Sequence, residues 1–307
     1  MKRTRKIWAL LLCAAMLAGL SACSGKAKEE EKGAGYTVEL PDGTSLKFEK
    51  VPERIVSMGP NITDILFKLG AGDQVVGRTD YCDYPEALKV PSVGTVYEPD
   101  IEAIIELKPD LVIGSAIFSE DAGKRLTELG IPVAVLYDSG NMDGVYEIIR
   151  KAGELAGKKE EGNRLAEETK KLADDTIAKY QGEEYADFVR PTVYYALDYG
   201  YGDYTAGGDT FIGQLIAAAG GDNIAQDIEG WSIDHERLVE ADPKIILVRL
   251  GEAEKFCKTP GYEELGAVKN GRVYEIDADH LLDRQGYRNA EALKQLAELF
   301  HGESTEN

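Results

Sequence analysis

Histidine and cysteine are scarce in this chain of 307 residues, at three and four copies. His235, His280 and His301 form no pair with metal-ligand spacing, so no resident metal is expected. The common catalytic signatures are missing too. There is no Gly-x-Ser-x-Gly elbow and no Gly-x4-Gly-Lys phosphate loop, and Gly70-Ala71-Gly72 lacks the third glycine of a dinucleotide fingerprint. Neither a catalytic set nor a cofactor is therefore expected. Positive charge is in deficit, with 35 Lys+Arg against 55 Asp+Glu and a net charge of −20. So acidic a protein is not built to track phosphate backbones, which argues against nucleic acid as a partner; outside the cell such charge serves solubility. The opening apolar run, Ile7 to Leu20, is too short to span a bilayer comfortably.

That run belongs to a leader. Lys2, Arg3, Arg5 and Lys6 precede it, and Leu20-Ser21-Ala22-Cys23 closes it with small residues, the three-part layout of a secretory signal over residues 1–22. The Leu-Ser-Ala-Cys ending resembles a bacterial lipobox, in which the cysteine becomes lipidated and starts the mature chain. Cys23 is thus the expected anchor to the lipid bilayer, on the outer face of the cytoplasmic membrane or in the periplasm. Residues 23–35, rich in Gly, Lys and Glu, read as a flexible tether. Loss of the leader's four cations leaves 31 Lys+Arg against 55 Asp+Glu, a mature charge of −24. Cys82 and Cys257 then remain; an oxidising exterior permits a bridge between them, but spacing cannot supply its geometry.

Lys158 to Gln181 is a proline-free stretch dense in Glu, Lys, Ala and Leu, strong helix formers that lose little side-chain entropy. Leu165, Leu172, Ile177 and Tyr180, with Thr169 and Thr176 between, make one narrow apolar stripe. Glu160–Arg164, Glu167–Lys171 and Asp175–Lys179 stand four apart in the favourable order for ion pairs. A long helix wetted on most sides runs between lobes. On this reading residues 36–145 form an N-terminal lobe, 146–182 linking helices and 190–302 a C-terminal lobe. In both lobes strands alternate with helices, starting in the first after a hairpin (Tyr36–Leu40 with Ser45–Lys50), and Asn61 stands where it can cap the first helix. The expected class is α/β, with two Rossmann-like βα lobes joined by one long rigid helix and a ligand cleft between them.

The halves also match in detail. Asp100-Ile101-Glu102 precedes Pro109 as Asp234-His235-Glu236 precedes Pro243, each position shifted by 134, and Gly70-Ala71-Gly72-Asp73 has its counterpart in Gly220-Gly221-Asp222. A duplicated lobe accounts for both. Tyrosines gather in the loops: Tyr81, Tyr84 and Tyr97 in the first half, Tyr199, Tyr201 and Tyr204 in the second, with Trp231 following. Aromatic rings with a polar tip in glycine-rich loops suit a planar, amphipathic ligand.

Several stretches carry a family resemblance: Arg54-Ile55-Val56-Ser57, Asn61-x-Thr63-Asp64-Ile65-Leu66-Phe67-x-Leu69-Gly70, Val76 through Pro85, Asp100-Ile101-Glu102 through Val112, Phe211-Ile212-Gly213-Gln214-Leu215 through Asn223, Trp231, and Arg284-x3-Arg288. Residues 53–302 resemble the substrate-binding proteins of bacterial ABC importers for iron–siderophore complexes, haem and cobalamin. The resemblance implies an iron chelate or corrinoid as ligand, and an ABC permease with its ATPase as partner. It implies docking through one glutamate per lobe, here Glu102 and Glu236. Asp80-Tyr81-Cys82-Asp83-Tyr84-Pro85 is similar to the cobalamin-type branch, while Val96 departs from it where a stacking aromatic can stand, with Tyr97 beside it. The expected ligand contacts are Tyr81, Tyr97, Tyr199, Tyr201, Tyr204 and Trp231, with Asp283 and Arg284 as polar partners and Tyr84 and His280 as further candidates. An extracellular α/β enzyme and an adhesive surface protein are the competing readings.

Overall fold

The computed structural model describes residues 35–137 and 140–303; the leader, Cys23 and the tether up to residue 34 lie outside the described residues. The chain opens on an antiparallel hairpin, β1 (Tyr36–Glu39) with β2 (Ser45–Phe48), turning at Gly43 with φ 82°. Then follow β3 (Ile55–Met58), α1 (Pro60–Lys68), β4 (Val75–Arg78), α2 (Ile101–Glu106), β5 (Leu111–Ser115), α3 (Glu120–Glu128), β6 (Val133–Leu136) and α4 (Met142–Leu155). The four strands β4-β3-β5-β6 form one parallel sheet in that order. All residues of β3 and β5 are buried, as both faces of a parallel sheet require.

After the long helix α5 (Lys159–Tyr180) the pattern returns: β7 (Thr192–Tyr195), β8 (Asp203–Tyr204), α6 (Phe211–Ala218), β9 (Asp222–Asn223), β10 (Ser232–Ile233), α7 (His235–Ala241) and β11 (Ile245–Arg249). The lobe closes with α8 (Ala253–Cys257), α9 (Gly266–Lys269), β12 (Val273–Ile276), α10 (Ala278–Leu281) and α11 (Asn289–Glu303). Its parallel sheet has the order β9-β7-β11-β12, the same topology as β4-β3-β5-β6, and β8 pairs with β10 in a separate antiparallel ribbon. The fold is the expected α/β pair of lobes.

One apolar core runs through both lobes, from Ile55, Leu111 and Ile149 past Leu165, Ala166 and Ala173 of α5 to Val193, Leu293 and Phe300. Each fully buried aliphatic side chain contributes about 1.5–3 kcal/mol of transfer energy. The outer sheet faces carry smaller cores, around Val56, Ile104 and Leu126 in the first lobe and around Tyr194, Leu238 and Phe256 in the second.

α5 joins the lobes by packing on α4 and on α11. Its buried stripe is Gly162, Leu165, Ala166, Thr169, Ala173 and Thr176; Leu172, Ile177 and Tyr180 only flank it. Small residues fill the stripe because the helices approach closely. A Cβ built on Gly153 would meet the Gly162 Cα at 2.9 Å, so this glycine pair is the crossing point of α4 and α5. The buried hydroxyls of Thr169 and Thr176 donate to the carbonyls of Leu165 and Leu172, at 2.7 and 2.8 Å.

Two local expectations are overturned, and a bridge that the sequence left open is not formed. Asn61 does not cap α1: Gly59 holds the cap position with Pro60 at the first helical residue, which frees the Asn61 amide to donate to the Gln285 carbonyl at 3.2 Å. The expected ion pairs along α5 are replaced, because Glu167 turns to Arg150 of α4, Lys171 to Asp175, and Lys179 to the Tyr180 hydroxyl. Cys82 and Cys257 are both free thiols. Cys82 is buried between the hydroxyls of Thr63 and Thr79, its Sγ 3.0 and 3.2 Å from their Oγ1 atoms.

Candidate functional site

In an open parallel sheet ligands bind beyond the carboxyl ends of the strands, where backbone dipoles and loops converge. Both sheets end in loops that expose large apolar side chains. In the first lobe these are Tyr81 (51% exposed) and Tyr97 (60%) after β4, Ile117 (54%) after β5 and Tyr137 (39%) after β6. In the second lobe they are Tyr201, fully exposed, with Tyr204 and Trp231 half-exposed on the β8–β10 ribbon and Leu250 after β11. Exposed aromatics of this number, on the strand-end loops of both lobes, make a candidate binding surface.

The ribbon is held rigidly. Ser232 pairs with Tyr204 and Ile233 with Asp203, and the Thr205 amide donates to the Trp231 carbonyl at 3.0 Å. Alternation along a strand turns Asp203 inward and Tyr204 outward. The buried Asp203 carboxylate accepts from the hydroxyls of Tyr262 at 2.8 Å and Tyr194 at 3.2 Å, and its other oxygen lies 2.8 Å from His235 Nδ1. Burial, with Asp203 beside them, pushes the Tyr262 phenol up to about 12 and the Tyr194 phenol higher, so both stay donors.

Polar groups at the cleft floor tie the lobes together. Asp83, in the loop after β4, accepts from Arg284 Nη1 and Nη2 at 2.6 and 2.9 Å and lies 3.1 Å from His280 Nε2. The Arg284 guanidinium holds the Asp83 carboxyl down at about 2. His280 Nδ1 is 2.8 Å from Asp277, and that hydrogen bond raises the imidazole above its usual value. Asp64 on α1 is nearly buried, with Arg288 Nε at 3.4 Å and Arg284 Nη1 at 4.0 Å; burial raises its carboxyl and the two guanidiniums pull the other way. Arg249, at the end of β11, pairs with Asp279 and with Asp283, the latter at 2.6 Å. Arg249 and Arg284 are therefore already hydrogen-bonded to carboxylates of the protein, whereas Arg288 approaches only Asp64 and its Nε has no hydrogen-bond partner among the described residues.

The expected contacts separate on this geometry. Tyr81, Tyr97, Tyr201, Tyr204 and Trp231 keep exposed rings on the cleft-side loops. Tyr199 does not: its hydroxyl donates to Glu252 at 2.6 Å and its ring packs edge-on against Phe256 and Tyr262. Asp283 and Arg284 spend their charge on Arg249 and Asp83. Tyr84 packs at a tilt against Phe67 with ring centroids 5.0 Å apart, and Val96 is buried in the core. Ile117, Tyr137 and Leu250, exposed just past β5, β6 and β11, are not among the expected contacts; their signal in the sequence is a large apolar residue placed just past an apolar strand. Glu102 on α2 and Glu236 on α7 are both exposed. Among the described residues no group of three or more His, Cys, Asp or Glu could hold a metal, and no helix is long and apolar enough to cross a membrane.

Two parallel-sheet lobes on one long helix, with exposed aromatics on the loops of both, are the architecture of an extracytoplasmic binding protein of the two-lobed kind. The chain belongs to the periplasmic binding protein family, whose model matches residues 55–280. It is 34% identical to the uncharacterized ABC transporter substrate-binding lipoprotein YvrC of Bacillus subtilis, with 98% of each chain covered. It is 30% identical to the cobalamin-binding protein of Halobacterium salinarum, over 89% of this chain and 76% of that one. The periplasmic haem-binding protein RhuT of Roseiflexus superposes with a TM-score of 0.71 at 28% identity, covering 82% of this chain and 99% of its own.

Proposed function

We propose that this protein is the receptor of an ABC importer, anchored to lipid through Cys23, which captures an iron chelate or corrinoid between its lobes and delivers it to the membrane permease and its ATPase. It catalyses no reaction. The observation that carries this reading is the set of exposed rings and aliphatic side chains on the strand-end loops of both lobes, which together offer a large, mostly apolar cradle. Tyr81, Tyr97, Tyr201, Tyr204 and Trp231 are its principal contacts; Tyr199 supports the loop from behind. Glu102 and Glu236 are the docking groups toward the permease.

Within that ligand class the charges favour a corrinoid. Haem propionates or the carboxylates of ferric citrate need free cations, whereas Arg249 and Arg284 are each hydrogen-bonded to carboxylates of the protein, Arg288 lies 3.4 Å from Asp64, and the protein is strongly acidic. A chelate with an amide-bearing, uncharged rim asks for stacking and hydrogen bonds instead. The cobalamin-binding relative supports the same choice. Calorimetric titration with cyanocobalamin, haemin and ferric citrate tests it. Tight binding of cyanocobalamin alone is the expected result; tight binding of ferric citrate or haemin alone overturns the choice of ligand, and no binding of any overturns the cleft.

A further inference from the structure

The match between the lobes extends well beyond one glutamate each. Glu102-Ala103-Ile104-Ile105-Glu106 on α2 stands 134 positions before Glu236-Arg237-Leu238-Val239-Glu240 on α7. In both segments the third residue, Ile104 or Leu238, is fully buried, and the fourth, Ile105 or Val239, is 40% or 49% exposed. Both glutamates of each segment are exposed. The equivalence continues to Lys108 and Asp242, which are the positive-φ non-glycine residues of the described chain, at 47° and 38°. Each is followed by a buried proline and then by β5 or β11, the third strand in its sheet as the orders are written above. The two helices are thus presented by the same local scaffold in both lobes.

Helix physics accounts for only part of this pattern. Glu102 and Glu236 lie in first turns, where an acid complements the helix dipole. Glu106 and Glu240 lie in last turns, where an acid opposes it, and each repels the first-turn glutamate four residues away. No ion pair among the described residues uses any of the four. Nor does the core need Ile105 or Val239, since Ile104 and Leu238 fill it. An acid–apolar–acid face that helix formation disfavours, repeated on equivalent scaffolds, is built for something outside the molecule.

We propose that Glu102, Ile105 and Glu106 in one lobe, with Glu236, Val239 and Glu240 in the other, are the two feet on which the protein stands on its permease. This rests on the reading of Glu102 and Glu236 as docking groups and adds an apolar anchor and a second acid to each. The partner presents the complementary socket twice, as an apolar hollow bordered by basic side chains. A second copy of this chain would set acid against acid, and so would an anionic lipid surface; charge complementarity therefore selects a basic protein face.

The test uses the full-length protein and the host permease–ATPase complex in nanodiscs, with binding followed by surface plasmon resonance. Three double variants are compared: Ile105→Ser with Val239→Ser, Glu106→Gln with Glu240→Gln, and the control Glu102→Ala with Glu236→Ala. The serine pair speeds dissociation and weakens the complex roughly tenfold, as loss of a small anchor at each of two sites does. The glutamine pair slows association and lessens its dependence on salt. Melting temperature and cyanocobalamin affinity stay at wild-type values in both. If the control weakens docking and the other two pairs bind like wild type, the extended feet are refuted and the docking glutamates stand. If none of the three weakens docking, both readings fall. Loss of self-association or of binding to anionic vesicles in the serine pair, with permease binding intact, would show the face to have another occupant and overturn the proposal.

Discussion

Trp231→Ala is the sharpest probe of the cleft. The indole is 46% exposed in the free protein. An aromatic side chain of this size offers roughly 200 Å² for burial, so about 100 Å² is left for a ligand to cover. At about 25 cal/mol per Å² that area is worth about 2.5 kcal/mol. Imperfect contact lowers the figure to about 2 kcal/mol, or roughly thirtyfold in Kd. The ribbon should survive the change, because Trp231 contributes its carbonyl to Thr205 and the Asp203 network lies on the inward side. The chain has one other tryptophan, Trp8, which falls in the proposed leader. Fluorescence of leaderless protein therefore reports this ring alone, and the wild type should quench on titration with cyanocobalamin. Calorimetry on Trp231→Ala should then give a Kd raised about thirtyfold with an unchanged melting temperature. A wild-type Kd would show that the ligand does not touch the ribbon, and the placement of the cradle would be refuted.

The remaining expectations concern the clasp, the anchor and the docking groups. His280 has a raised pKa in the folded protein, so its stabilising contribution is complete below about pH 6.5 and is lost as pH climbs through the raised value, while Asp83, held at about 2, contributes above about pH 4 and loses its share only on acidification toward that value. The melting temperature of wild type should thus exceed that of His280→Gln near pH 5.5 and approach it by about pH 8.5; a gap that stays constant across that range would remove the histidine from the clasp. Cys23→Ala should release the protein into the medium or periplasm, and a mature N-terminus elsewhere by mass spectrometry would rule out the anchor. Glu102→Ala with Glu236→Ala should leave ligand affinity and melting temperature intact while uptake into reconstituted vesicles falls severalfold, and undiminished uptake would leave the two acids as dipole partners only.

The sequence made the scaffold legible because its signals are local. Apolar runs bounded by glycine or by Asp-Pro mark the strands, and among the described residues thirteen glycines adopt the positive φ that ends helices and turns chains. The long helix shows in its composition alone, although its buried face was misjudged: the eye follows large residues such as Leu172 and Ile177, while close helix packing selects Gly162, Ala166 and Ala173. The cleft floor was illegible for a different reason. Asp83 and Arg284 stand 201 positions apart, and His280 and Asp83 197. Nothing in either neighbourhood says that one carboxylate will serve two cations of the other lobe. Tyr199 was misplaced likewise, since its partners Glu252, Phe256 and Tyr262 come together only when α8 folds beside β7's loop.

The two ends of the repeated unit differ in how faithfully they repeat. At the amino-terminal side of β5 and β11 the correspondence holds residue by residue, down to the sign of φ at Lys108 and Asp242. At the carboxyl-terminal side it dissolves. The first lobe carries the long loop with Tyr81, Asp83 and Tyr97, whereas the second carries a two-stranded ribbon with Tyr204 and Trp231. A ligand with two unlike faces, such as the chelate proposed above, gives the loops that would grip it reason to diverge, each shaping its own half of the proposed cradle. A partner that presents the same surface twice imposes the opposite demand, because a change in one foot spoils the register of the other. Fidelity on one side and divergence on the other is what the proposed role requires: a carrier that stands on two like sockets of its partner and grips a ligand with two unlike faces.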